Sequence, residues 1–178
     1  MRSLKMKHLD HSYKEDFQYK HKNPYHDKLQ EFSDFVFRDT EGEALKGKWH
    51  SDYFKNEKPL TVEVGCGYGE FMRSYTTDHP HENFVGIDYR FKRSYALAKN
   101  LSEQEVKNFC LLRAKGERLG FTFGKNEISK LLYFFPDPWP KTRHHKNRLF
   151  QAPFIEDAYN LLKPGGKLFV KTDHDGYA

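Results

Sequence analysis

Hydrophobic positions along the chain fall into short continuous runs separated by stretches with a helical period. Leu60-Thr61-Val62-Glu63-Val64, Phe84-Val85-Gly86-Ile87-Asp88, Phe109 to Leu112, Ser129 to Phe135 and Lys167 to Thr172 read as five strands. Runs this short, apolar at nearly every position, are the pattern of strands covered on both faces of a parallel sheet. Helical spacing fills the gaps. Glu70 to Tyr75 opens a helix with Phe71, Met72 and Tyr75 on one face, and Arg90 to Leu101 turns Tyr95, Ala98 and Leu101 inward. Phe154, Ile155, Ala158, Leu161 and Leu162 mark another helix, with Pro153 suited to its first turn and Lys163-Pro164-Gly165-Gly166 stopping it. Strands alternating with helices predict an α/β fold with a doubly wound, mainly parallel sheet.

Upstream of Leu60 the pattern is weaker. Residues 1–28 mix charges, histidines and tyrosines without a clear period and read as a flexible or loosely docked N-terminal arm; residues 29–178 form the single domain. Leu29, Phe32, Phe35 and Val36 share one helical face, and Thr40 to Pro59 is expected to be mostly connection.

Composition narrows the class. A chain of 178 residues accommodates one domain with a sizeable core. Its formal charge is +5, and its aromatic content of 16% is high beside a hydrophobic content of 37%, so rings must cover surface or line a cleft, a mix suited to stacking on bases. Cys66 and Cys110 are too few for a disulfide framework and lack metal-ligand spacing, which points to a reducing cytoplasm. His8, His11, His21 and His26 have no cysteine nearby and read as solvated, so no metal is expected. No apolar stretch reaches the roughly 20 residues of a membrane span, and no membrane association is expected.

Three segments carry chemistry. Gly65-Cys66-Gly67-Tyr68-Gly69 follows the first predicted strand and opens a helix, so its bare amides are placed to receive an anionic or polar ligand. The spacing is G-x-G-x-G, not the G-x-G-x-x-G of dinucleotide sites, and Glu70 argues against a pyrophosphate; a purely structural strand-to-helix turn is the alternative. Asp88 ends the next strand about 20 residues on, where an acid grips a ribose diol. The third segment, LLYFFPDPWPKTRHHKNR from Leu131 to Arg148, is the most specific. Three prolines in five residues must take the chain out of the sheet and present Asp137 and Trp139 at the strand's carboxyl end. Lys141, Arg143, Lys146 and Arg148 follow with His144 and His145 and no acid among them.

Taken together, VEVGCGYGEF at 62–71, GID at 86–88, FPDPWPKTRHHKNR at 135–148 and LLKPGGKLFVKTD at 161–173 resemble the tRNA (guanine-N7)-methyltransferases. The resemblance implies a Rossmann-like methyltransferase fold, S-adenosylmethionine as cofactor and tRNA as partner. It places cofactor contacts on Glu63, Asp88 and Asp137, with Gly65, Gly67 and Gly69 in the loop, and the active-site position on Asp137. Guanine or RNA contacts fall on Lys141 and Asp173, with Arg143, His144, Lys146 and Arg148 in the RNA-contacting run. Trp139 and Tyr133 are candidates for stacking on a base. One departure stands out: the family's Asp-Ala or Asn-Ala after the third strand is Lys115-Gly116 here. The resemblance also implies further strands after Asp173, so the C-terminal strands are expected to be missing, with self-association through an open sheet edge. Two alternatives stay open: an amine methyltransferase, because Asp-Pro-Trp-Pro sits where those enzymes place Asp-Pro-Pro-Tyr, and an RNA-binding module with a relic cofactor site. The glycine spacing disfavours a nucleotide-dependent oxidoreductase.

Overall fold

A computed structural model describes residues 23–139, 141–174 and 177. Most of the expected arm, residues 1–22, lies outside the described residues. Its end does not: Pro24–Lys28 forms a short helix, α1, capped by the Asn23 side chain, with Tyr25 against the Tyr95 ring and His26 against Phe91.

Six parallel strands make one sheet: β1 (Val36–Arg38), β2 (Leu60–Val64), β3 (Asn83–Ile87), β4 (Phe109–Arg113), β5 (Ile128–Phe134) and β6 (Leu162–Lys171), in the order β1-β4-β3-β2-β5-β6. All five pairings are parallel. β2, β3 and β4 are buried at every position, which is why they read as unbroken apolar runs. Helices α2 (Glu70–Asp78) and α3 (Phe91–Ser102) cover one face through Met72, Leu97, Ala98 and Leu101. The other face is covered by α4 (Leu119–Thr122) and α5 (Ala152–Leu161), through Leu119, Phe154, Ala158 and Leu161. The fold is thus the expected doubly wound α/β sheet.

Three expectations upstream of β2 and around β6 need correction. Leu29–Phe32 is a 3-10 helix, but Val36 belongs to strand β1, which pairs with β4 at the sheet edge. Three residues are too few to show a strand period, and the helical spacing just before masks them. The stretch expected to be mostly connection contains a 3-10 helix at Glu41–Leu45 and a single π-helical turn at Trp49–Phe54. Trp49 is fully buried there: its ring stacks on Phe123 at 5.4 Å and its indole N–H donates to the Thr122 carbonyl at 3.0 Å. Glu127, itself buried, anchors this segment by accepting from the backbone N–H groups of Gly47, Trp49 and Gly124. A carboxylate taken out of water is tolerated when several amides replace its hydration. Finally, Lys163-Pro164-Gly165-Gly166 does end α5, yet the chain pairs with β5 already at Leu162; the Pro-Gly-Gly turn is an irregularity inside β6, between the Ile128 and Lys130 pairings.

Candidate functional site

The strand order reverses around β2, with β3 on one side and β5 on the other. Open α/β sheets bind ligands at such a point, outside the carboxyl ends of the strands. A cleft of about 410 Å³ lies there, lined by Val64 and Gly65 from β2 and its turn, Ile87 and Asp88 from β3, Lys115 to Glu117 after β4, and Phe134 to Asp137 after β5.

The turn after β2 is held by the sheet. The N–H groups of Gly65 and Cys66 both donate to the Ile87 carbonyl, at 2.8 and 3.0 Å. Gly69 starts α2 with a φ of +72°, and a β-carbon on it would lie 2.2 Å from Leu97 Cδ1, so glycine is required there for backbone reasons and for packing.

Asp88, 6% exposed, sits where the turn, β3 and α3 converge. Its Oδ2 accepts the Gly67 N–H at 3.1 Å and its Oδ1 accepts the Arg90 N–H at 2.8 Å. Arg93 Nη1 stands 3.9 Å from Oδ2. Burial pushes this carboxyl above its usual range, while the Arg90 amide, the Arg93 charge and the Gly67 amide pull the other way. Glu63 is different. It is 5% exposed and does not line the cleft; its Oε2 has no hydrogen-bond partner, and burial raises its pKa to about 7. The nearby buried thiol of Cys66 is pushed well up, first by its own burial and then by the Glu63 and Asp88 charges.

Across the cleft the loop after β5 is shaped by unusual backbone. Phe135 and Trp139 both adopt positive φ, +48° and +41°, while Pro136 is buried. The result is that Phe135 (66% exposed), Asp137 and Trp139 (37% exposed) face outward. Asp137 lines the cleft, and no hydrogen bond or ion pair engages its carboxylate among the described residues. The basic run forms a 3-10 helix, Thr142–Asn147, whose end is held by the Gln151 side chain donating to the carbonyls of His145, Lys146 and Arg148. Asn147 and Leu149 reach the cleft lining; Lys141, Arg143 and Lys146 are exposed beside it, and His144 packs edge-on against Trp139. Asp173, also exposed, follows β6, which pairs with β5, so it emerges at the same end of the sheet.

Two of the expected contact residues also have partners within the chain. The Tyr133 ring is buried at the cleft wall and its hydroxyl bonds the Tyr177 hydroxyl at 3.1 Å, so little of the ring is open to an incoming base; burial, then that bond, raises its pKa. Arg148 donates from Nε to the Pro138 carbonyl at 3.0 Å and lies over the Tyr177 ring, which makes it a brace for the Asp137 loop. Arg93 was not legible as a site residue, because a basic residue one turn into a helix looks like any solvated position. Among the described residues no group of three His, Cys, Asp or Glu side chains could hold a metal ion.

A parallel doubly wound sheet with a glycine turn and a buried acid at its switch point is a Rossmann-like fold with a ligand site at the carboxyl ends of its strands. The chain belongs to the putative methyltransferase family, whose model matches residues 57–178. It is 36% identical over 96% of its length to a bifunctional glycosyltransferase/methyltransferase of Fusobacterium nucleatum, of which it covers 26%. It is 36% identical to a tRNA (guanine-N(7)-)-methyltransferase of Christiangramia forsetii, over 82% of this chain and 62% of that protein. A Streptococcus thermophilus protein of the same name is 40% identical over 77% of this chain and 64% of its own length. The chain therefore spans between a quarter and two thirds of these relatives. Among solved structures, the fold is similar to that of a Haemonchus contortus phosphoethanolamine N-methyltransferase (TM-score 0.50, 14% identity, 64% of this chain and 24% of that one). A geranyl diphosphate methyltransferase is equally near (TM-score 0.50, 13% identity, 64% and 37%).

Proposed function

We propose that this protein, acting in the cytoplasm, transfers a methyl group from S-adenosylmethionine to N7 of a guanine in tRNA. The observation that carries the reading is the meeting in one cleft of Gly65 and Asp88, on the cofactor side, with Asp137, on a proline-stiffened loop that runs directly into the basic 3-10 helix. The names of the Christiangramia and Streptococcus relatives support the same acceptor.

The residues present fit the cofactor. A buried Asp88 with its oxygens directed by two backbone amides is a preorganised acceptor for a ribose diol, and the open turn at Gly65 admits a ligand close to the backbone. Lys115 and Glu117 stand on the wall where the family's acid is replaced. S-adenosylmethionine supplies an electrophilic methyl carried on a sulfonium. The remaining work falls to the chain. Guanine N7 offers a lone pair that carries no proton, so no general base is needed, and catalysis reduces to positioning and electrostatics. The free carboxylate of Asp137 faces the cleft, where it stabilises the positive charge that the purine gains. Trp139 offers an exposed ring for an extruded base, and Lys141, Arg143 and Lys146 offer charges to the phosphates beside it. Asp173 accepts from the base's N–H edge. Glu63, near the end of β2 and outside the cleft lining, is assigned to the cofactor side on the resemblance alone.

Incubating the protein with unmodified tRNA and methyl-labelled S-adenosylmethionine, followed by nucleoside mass spectrometry, tests the reading. Labelled 7-methylguanosine is expected. A methylated adenosine or cytidine would move the enzyme to the amine-methylating class, and no label in RNA would defeat the acceptor assignment.

We also propose self-association through β6. It is an edge of the sheet among the described residues, and Phe169 and Val170 on it are exposed. Such an edge invites pairing with a second chain. Sedimentation velocity should show a concentration-dependent dimer; a monomer at all concentrations would contradict it.

A further inference from the structure

The first turn of α3 is wired to Asp88 at several points: the Arg90 N–H donates to its Oδ1, the Ser94 hydroxyl donates to its carbonyl at 3.3 Å, and Arg93 stands 3.9 Å from its Oδ2. Arg93 also lies over the Tyr68 ring, 5.8 Å from its centroid, and lines the cleft. One guanidinium therefore spans the glycine turn and the carboxylate that the turn positions. An exposed ion pair at this separation contributes little by itself. Here the acid is buried and the arginine is the cation aimed at it, so the pair acts on which form of the acid is present.

Resting on the cofactor reading above, we propose that Arg93 is a positioning residue for S-adenosylmethionine: from its place over the Tyr68 ring it holds Asp88 in the charged, accepting form. Without Arg93, burial favours the neutral acid, which offers a ribose diol a weaker acceptor and a competing O–H. The sign follows directly. Asp88 is ionised above its pKa, so cofactor binding weakens as pH falls through that value, and removing a nearby cation moves the weakening to higher pH. Other groups act on the same acid. Arg90 caps α3, Cys66 lies in the turn, and Glu63 lies near the end of β2 with a pKa of about 7; Lys115 and Glu117 stand on the same cleft's wall. These remain in all three proteins compared, so they do not distinguish the profiles.

The test is the dissociation constant of S-adenosylmethionine by calorimetry from pH 5 to 8 for the full chain, Arg93→Gln and Arg93→Lys, with thermal melts to show that each variant is folded. Arg93→Gln should bind about as well as the parent at pH 8 and roughly tenfold more weakly at the acid end. Arg93→Lys, which keeps the charge, should follow the parental profile. A parallel offset of Arg93→Gln at every pH would mean a merely structural role and overturn the proposal, as would an unchanged profile. Failure of the parent protein to bind S-adenosylmethionine at any pH would instead defeat the cofactor reading on which the proposal rests.

Discussion

On the β3 side of the cleft Asp88 is 6% exposed and both its oxygens accept backbone N–H groups, whereas across the cleft Asp137 is exposed and engages none of the described residues. The contrast extends to their supports. Asp88 hangs from strands buried at every position and from a turn bonded twice to Ile87. Asp137 hangs from a loop with two residues at positive φ, braced from behind by Arg148. A site that must recognise one small invariant ligand can afford rigid, desolvated acceptors, while a site that meets a large polyanion needs exposed charges and accessible rings. The difference teaches that two carboxylates similar in the sequence are prepared differently, and on the proposed reading they have opposite tasks: one is fixed before binding, and the other is kept free for the charge that would develop in the reaction.

The largest expected effect tests the free acid. Asp137→Ala should lower turnover on tRNA by about 100-fold or more while changing S-adenosylmethionine affinity much less, as loss of a single preorganised electrostatic group does. Near-normal turnover in steady-state kinetics would remove Asp137 from the reaction. Next comes the rigidity of the cofactor side. Gly69→Ala combines a left-handed backbone with a β-carbon pressed into Leu97, so it should cost about 2 kcal/mol or more in urea unfolding; a cost below about 0.5 kcal/mol would show that the turn is soft.

A smaller effect concerns Glu63. Its folded pKa, about 7, lies above the ordinary value of 4.5 because of burial. The stability this represents is full below pH 4.5 and is lost as the pH rises to about 7, because the unfolded chain ionises first. The parent should lose about 2 kcal/mol between pH 5 and 8 that Glu63→Gln does not. Equal slopes in chemical denaturation would show that Glu63 is ionised and partnered at neutral pH.

The same contrast explains what the sequence disclosed. β2, β3 and β4 are buried on both faces, so their apolar runs announced them, and the turn glycines and Asp88 could be placed from spacing alone. β1 was hidden because three edge residues carry no period, and Trp49 because a lone aromatic in a polar stretch does not say which way it points; both depend on long-range packing, against β4 and against Phe123. In the basic run, side-chain type could not separate Lys141, Arg143 and Lys146, which are exposed, from Arg148, which braces the Asp137 loop. Tyr133 looked like a stacking ring for the same reason, until the Tyr177 hydroxyl accounted for it. Arg93 gave no signal, since its proposed role arises only where α3 begins against Asp88.

The division of the cleft is tested most directly by measuring S-adenosylmethionine and tRNA affinities side by side for Asp88→Ala and for the triple variant Lys141→Ala, Arg143→Ala, Lys146→Ala. Asp88→Ala should weaken S-adenosylmethionine about tenfold or more and leave tRNA affinity near the parental value. The triple variant should bind S-adenosylmethionine normally, bind tRNA more weakly, and lose about one unit of log–log salt slope for each phosphate contact removed. If either variant weakened both ligands equally, or if the triple variant kept the parental salt slope, the separation into a buried cofactor side and an exposed RNA side would be contradicted.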